Sequence, residues 1–135
     1  MQKCKYLDDL GIPIKEYGTN FMEDTDPRAE SWAKERKEYG FDNRETWNLD
    51  RIFIEWIYTR VLMYKEYTIC DLDYHKFKYK DSEITQAEAI DKILELAKEI
   101  LLMDDYYCIK NSEKTINNQH EICDLWKEIL PAMWW

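Results

Sequence analysis

Leu49-Asp50-Arg51-Ile52-Phe53-Ile54-Glu55-Trp56-Ile57-Tyr58-Thr59-Arg60-Val61-Leu62-Met63-Tyr64 is the most apolar periodic stretch of the 135-residue chain. Leu49, Ile52, Phe53, Trp56, Ile57, Val61 and Tyr64 recur at three- and four-residue spacing, as one face of a helix does, and Ile54, Leu62 and Met63 widen the stripe. Arg51, Glu55 and Thr59 leave only a narrow polar edge. This helix is therefore expected at the centre of the core, with Trp56 deep inside it. Asn48 suits an N-cap, with Trp47 and Ile52 placed as a hydrophobic staple, while Asp42 and Glu45 also resemble a capping box. Both starts remain open.

Outward toward the N-terminus, a shorter helix is expected after Thr25, with Pro27 near its first position and Gly40 just past its end. Its apolar face is thin, made of Ala29, Trp32, Ala33 and Tyr39, so Trp32 should anchor a surface helix. Residues 1–24 lack periodicity and read as an irregular segment.

Toward the C-terminus the period changes to two. Phe77 and Tyr79 alternate with Lys76, Lys78 and Lys80, and Asp81-Ser82 supplies a turn, which suits a short β-hairpin near residues 72–84 or an extended loop. Thr85-Gln86-Ala87-Glu88 is a capping box for a helix that buries Ile90, Ile93, Leu94, Ala97, Ile100 and Leu101. A last helix is expected from about Lys114 to Leu130, its face formed by Ile116, Cys123, Trp126 and Leu130. Pro131 stops it and leaves residues 131–135 as an apolar tail. The expectation is a mainly α fold, a small helical domain of about four helices with a short hairpin, in a single domain over residues 1–135.

Composition narrows the function classes. A net charge of −9 repels nucleic-acid phosphates and favours a basic protein surface as partner, with no direct nucleic-acid contact. Most of the excess lies in residues 81–135, where 12 acidic side chains face 5 basic ones. No apolar run approaches a membrane span, and Asp8 and Asp9 interrupt any leader-like N-terminus. The four scattered cysteines, Cys4, Cys70, Cys108 and Cys123, then read as buried reduced thiols of a cytoplasmic protein.

Few constellations suggest chemistry. On a strand, Asp71, Asp73 and His75 would share one face and offer oxygen and nitrogen ligands to a divalent metal, the basis of a small metal-dependent enzyme. The same parity continues into Phe77 and Tyr79, which turns that face inward. Cys70 with His75, and His120 with Cys123, form two half-sites for zinc, but their spacing matches no finger. Lys76, Lys78 and Lys80 beside aromatic rings offer a nucleotide or signal-molecule site. No phosphate-cradling glycine loop or nucleophile elbow is present, and neither a cofactor nor a catalytic residue is expected.

Two surfaces suit a partner instead. Glu88, Asp91, Glu95 and Glu99 recur at three and four residues opposite an apolar stripe, a row of charge about 5–6 Å apart that imitates a phosphate backbone. The competing reading is a solvated face, partly neutralised by Lys92 and Lys98. Trp134 and Trp135 either anchor a partner or fold back to close the core.

Gly40-Phe41-Asp42-Asn43-Arg44-Glu45-Thr46-Trp47-Asn48-Leu49-Asp50, with Asp73-Tyr74-His75-Lys76-Phe77 and Thr85-Gln86 further on, resembles a motif of small uncharacterised phage and prophage proteins. The resemblance spans about residues 40–90 and brings no transferable activity. It implies viral or prophage origin. In that setting, an acidic chain suggests a non-enzymatic anti-defence inhibitor, anti-CRISPR-like, occupying the basic nucleic-acid-binding surface of a host defence enzyme.

Overall fold

A computed structural model describes residues 3–17, 25–103 and 109–134. Among these residues the fold is mainly α, with five helices and one antiparallel hairpin. The helices are α1 (Lys5–Asp9), α2 (Ala29–Tyr39), α3 (Leu49–Tyr67), α4 (Gln86–Leu101) and α5 (Ile109–Ile129), and the strands are β1 (Lys76–Tyr79) and β2 (Ser82–Thr85). The chain divides into two compact units, Met1–Trp56 and Ile57–Trp135, and α3 passes from the first into the second. No helix among the described residues is long and apolar enough to cross a membrane.

In the first unit the expected irregular segment holds structure. Residues 5–9 form α1, Ile14–Glu16 form a 3-10 turn, and Tyr6, Leu7, Ile12 and Tyr17 are buried. The Tyr17 hydroxyl donates to Asp8 across this segment, and burial together with that carboxylate pushes the phenol well above its usual range. A helix of five residues is too short to show a periodic pattern, so no periodicity marks it. α2 begins after a turn in which Asp26 accepts from the Arg28 backbone N–H at 2.8 Å, and it ends where Gly40 takes a left-handed φ of 85°. Trp32 is its one buried residue, as the thin apolar face implied.

The two starts read for α3 turn out to be two separate features. Asp42 caps a 3-10 turn over Asn43–Thr46 by accepting from the Arg44 N–H, and α3 then begins with the Ile52 N–H bonded to the Asn48 carbonyl. The burial of α3 corrects the expectation. Ile54, Ile57, Tyr58 and Val61 are buried, and so are Glu55 and Thr59 from the supposed polar edge. Trp56 is 45% exposed, Leu49 62% and Phe53 37%. The stripe is wide enough that periodicity alone did not fix which flank of it is covered.

In the second unit β1 pairs antiparallel with β2, Phe77 opposite Ile84 and Lys78 opposite Glu83. Lys76 and Lys78 are exposed while Phe77 and Tyr79 are half-buried, which is the alternation expected of an edge that must not pair further. β2 runs directly into α4, whose Thr85 cap accepts from the Glu88 N–H at 3.2 Å. α4 packs on α5. The buried face of α4 holds Ala89, Ile90, Ile93, Leu96, Ala97, Ile100 and Leu101, with Leu94 only partly covered.

α5 begins earlier than expected and shows a different face. Thr115, Asn118, Ile122, Leu125 and Ile129 are buried, whereas Ile116, Cys123 and Leu130 are exposed. Both sets have three- and four-residue spacing, displaced by one position. The buried set includes Thr115 and Asn118, whose polarity hid the face. Asn118 is affordable inside because its amide donates to Glu99 at 2.9 Å and to the Leu96 carbonyl at 3.5 Å.

Candidate interaction surfaces

The carboxylates of α4 stand on a rigid support, since the opposite face of the same helix is buried along its length. Glu88, Asp91 and Glu95 are exposed, and Glu99 is half-buried. Three of the four have basic company. Lys65 reaches Asp91 at 2.5 Å, Lys92 lies 3.8 Å from Glu95, and Lys114 lies 3.8 Å from Glu99. Exposed pairs of this kind hold little energy, so a more basic partner readily displaces them. Glu99 differs, because its bond to buried Asn118 makes it part of the α4–α5 packing as well as the rim of the acidic row.

The tail presents one tryptophan. Trp134 is 71% exposed, and its backbone carbonyl accepts from the Tyr64 hydroxyl at 3.3 Å and the Cys70 thiol at 3.0 Å. The chain is thus tied down while the indole stays in water, so of the two readings of the tail, closure of the core does not hold for Trp134. Trp135 lies outside the described residues.

The Asp71-to-His75 segment is not a strand. It forms a turn in which Asp71 accepts from the Asp73 N–H at 3.0 Å, and Asp71, Asp73 and His75 are all exposed. β1 starts only at Lys76, so the alternation that would have aligned the three side chains does not apply to them. His75 lies against Phe77 at 6.0 Å between ring centres rather than turning inward. What the segment supplies is backbone, because the carbonyls of Leu72 and His75 accept from the N–H groups of Ala87 and Gln86 at the start of α4. Among the described residues no three His, Cys, Asp or Glu side chains are gathered as a metal site, and this includes the Cys70, His75, His120 and Cys123 half-sites.

The described cysteines also differ from expectation, Cys4 and Cys70 being half-buried and Cys123 exposed; Cys108 lies outside the described residues. On the hairpin, Tyr79 donates to Glu121 at 3.0 Å and Lys80 lies 3.3 Å from the same carboxylate. Burial and Glu121 push the Tyr79 phenol up to about 12. Tyr79 and Lys80 are thereby engaged with α5.

The Gly40-to-Asp50 motif folds as a lock. The Asp42 side chain is fully buried and is gripped by Arg44 through two bonds, at 2.9 and 2.8 Å, and by Arg36. Burial opposes ionisation of Asp42, but the two guanidinium groups outweigh it and hold its carboxyl below the usual carboxylate range. Arg44 lies 4.2 Å from the Trp32 ring centre, and Arg28 lies 5.0 Å from Trp32 and 5.3 Å from Trp47. Trp32 also donates to Asn43 at 2.9 Å and meets Trp47 edge-on. The residues that make this stretch distinctive in sequence therefore join α2 to the start of α3. Comparison with family models, curated proteins and solved structures finds no match.

Proposed function

We propose that this chain is a non-enzymatic interaction protein that presents the acidic face of α4 to a basic protein surface. The observation that carries the reading is the exposure of Glu88, Asp91 and Glu95 in one row on a helix whose other face is buried. A fixed row of carboxylates meets a phosphate-binding groove without the entropy loss of ordering a flexible acidic tail. Glu99 extends the row, and exposed Trp134 adds an aromatic anchor of the type that dominates interface energetics. With the phage-like motif, the target class is a host defence enzyme with a basic nucleic-acid channel, and the chain acts on it as an anti-CRISPR-like inhibitor.

Electrophoretic mobility shifts of guide-loaded RNA-guided nucleases on target DNA test this. The wild-type chain is expected to release DNA from its target nuclease, and the Glu88→Gln, Asp91→Gln, Glu95→Gln triple variant to do so weakly. Release by the variant at wild-type concentrations removes the α4 face from the reading. Failure of the wild-type chain against a broad panel removes the target class.

A further inference from the structure

Four exposed apolar side chains of the second unit sit on backbone that hydrogen bonds draw to one end of it. Tyr74 is 86% and Ile69 85% exposed, and Trp134 and Tyr67 are exposed with them. The Trp134 carbonyl accepts from Tyr64, one turn before Tyr67, and from Cys70, the neighbour of Ile69. The Gln86 backbone N–H donates to the His75 carbonyl, next to Tyr74, and the Gln86 amide donates to the Ala132 carbonyl, two residues before Trp134. Local bonds brace the loop itself. The Cys70 N–H donates to the Thr68 hydroxyl at 3.2 Å, and Asp71 accepts from the N–H groups of Asp73 and Tyr74. All of these residues lie within Ile57–Trp135. A braced patch of aromatic and aliphatic side chains in water is a surface made for contact.

We infer that this patch receives an arginine-bearing segment of the partner. The inference rests on the reading of a basic partner and adds what that partner presents. Asp71 and Asp73 are exposed beside Tyr74, and the bond from the Ala87 N–H to the Leu72 carbonyl brings Glu88, the first carboxylate of the α4 row, to the same turn. Residues 64–76 and 86–88 carry four acidic side chains, Glu66, Asp71, Asp73 and Glu88, against Lys65 and Lys76. Lys65 is already drawn to Asp91. Carboxylates beside exposed rings suit a guanidinium, whose flat faces stack on phenol or indole while its fork of N–H groups pairs with a carboxylate. An ammonium is a compact, strongly hydrated charge and stacks less well. A second copy of this chain would set acid against acid at −9 each, and the same carboxylates repel an anionic lipid surface.

Fluorescence anisotropy with two labelled peptides of about a dozen residues, one repeating arginine-leucine-serine and the other lysine-leucine-serine, separates stacking from charge. Wild type is expected to bind the arginine peptide about five-fold or more tightly than the lysine peptide. The Tyr74→Ala, Trp134→Ala double variant should bind both alike and unfold at the wild-type temperature, since both rings are exposed and Trp134 is tied by its carbonyl. The Asp71→Asn, Asp73→Asn variant should weaken both peptides. The α4 triple variant should also weaken both and keep the arginine preference, so loss of the α4 reading shows as unchanged affinity in that variant alone. Equal binding of the two peptides by wild type, no binding of either, or an arginine preference that survives in the double variant overturns the inference. So does self-association of wild type in sedimentation, or retention on phosphatidylcholine vesicles, that the double variant abolishes.

Discussion

Asp42 concentrates the residue-scale chemistry of the first unit. Its fully buried carboxylate holds Arg36 and Arg44, and Arg44 in turn covers the ring of Trp32. Asp42→Asn removes the charge and keeps the shape, leaving two guanidinium groups on a neutral amide. The expected loss is about 3–5 kcal/mol, as for other buried pairs broken on one side. The loss depends on pH with a definite sign. The folded carboxyl titrates below the unfolded value near 3.9, so its stabilisation is whole above about pH 5 and drains away as pH falls through the folded value. Denaturant unfolding of wild type and Asp42→Asn from neutral to acidic pH should show two curves converging at the acid end. A constant gap would place the effect in packing rather than in ionisation. Tyr79 behaves oppositely, since its raised phenol near 12 contributes below the unfolded value of about 10 and is lost as pH rises above it. Tyr79→Phe should therefore approach wild-type stability in alkali and fall below it at neutral pH.

At the scale of elements, the helices separate what periodicity can and cannot tell. On α5, Ile122→Ala should cost about 2–5 kcal/mol, and Ile116→Ala less than about 1 kcal/mol, because Ile122 is wholly buried and Ile116 is 48% exposed. Equal effects in thermal unfolding would restore the face read from sequence. Trp56→Ala should likewise cost about 1 kcal/mol rather than the several expected of a core tryptophan, since the residue is 45% exposed. The elements themselves were legible where local chemistry marks them: the Thr85 cap, Gly40 at the end of α2, the lysine–aromatic alternation of β1. Which face is covered was legible for α4, whose apolar and acidic sides are cleanly separated. It was not legible for α3, where apolar residues occupy most of the circumference, or for α5, where a buried asparagine satisfied by Glu99 stands where an apolar residue was sought. The Asp71-to-His75 turn failed for another reason, as its side chains advertised a site while its carbonyls close the start of α4.

For the whole molecule, the proposal of a basic partner rests on the balance of charge. The acidic row of α4 was readable as a pattern, and its exposure follows from the burial of the opposite face. The pattern did not show that Glu99 doubles as the partner of Asn118, so neutralising all four carboxylates would mix folding with binding. The clean variant is Glu88→Gln, Asp91→Gln, Glu95→Gln, which should unfold within about 0.5 kcal/mol of wild type because exposed carboxylates hold little folding energy. The most direct test of the proposed α4 surface is the association rate of wild type and this variant, at low and at moderate salt, with the nuclease identified by the mobility-shift assay. Wild type should associate faster at low salt and slow steeply as salt is added, while the variant starts slower and changes little. Equal rates for the two proteins at both salts would contradict the account and leave α4 a solvated face.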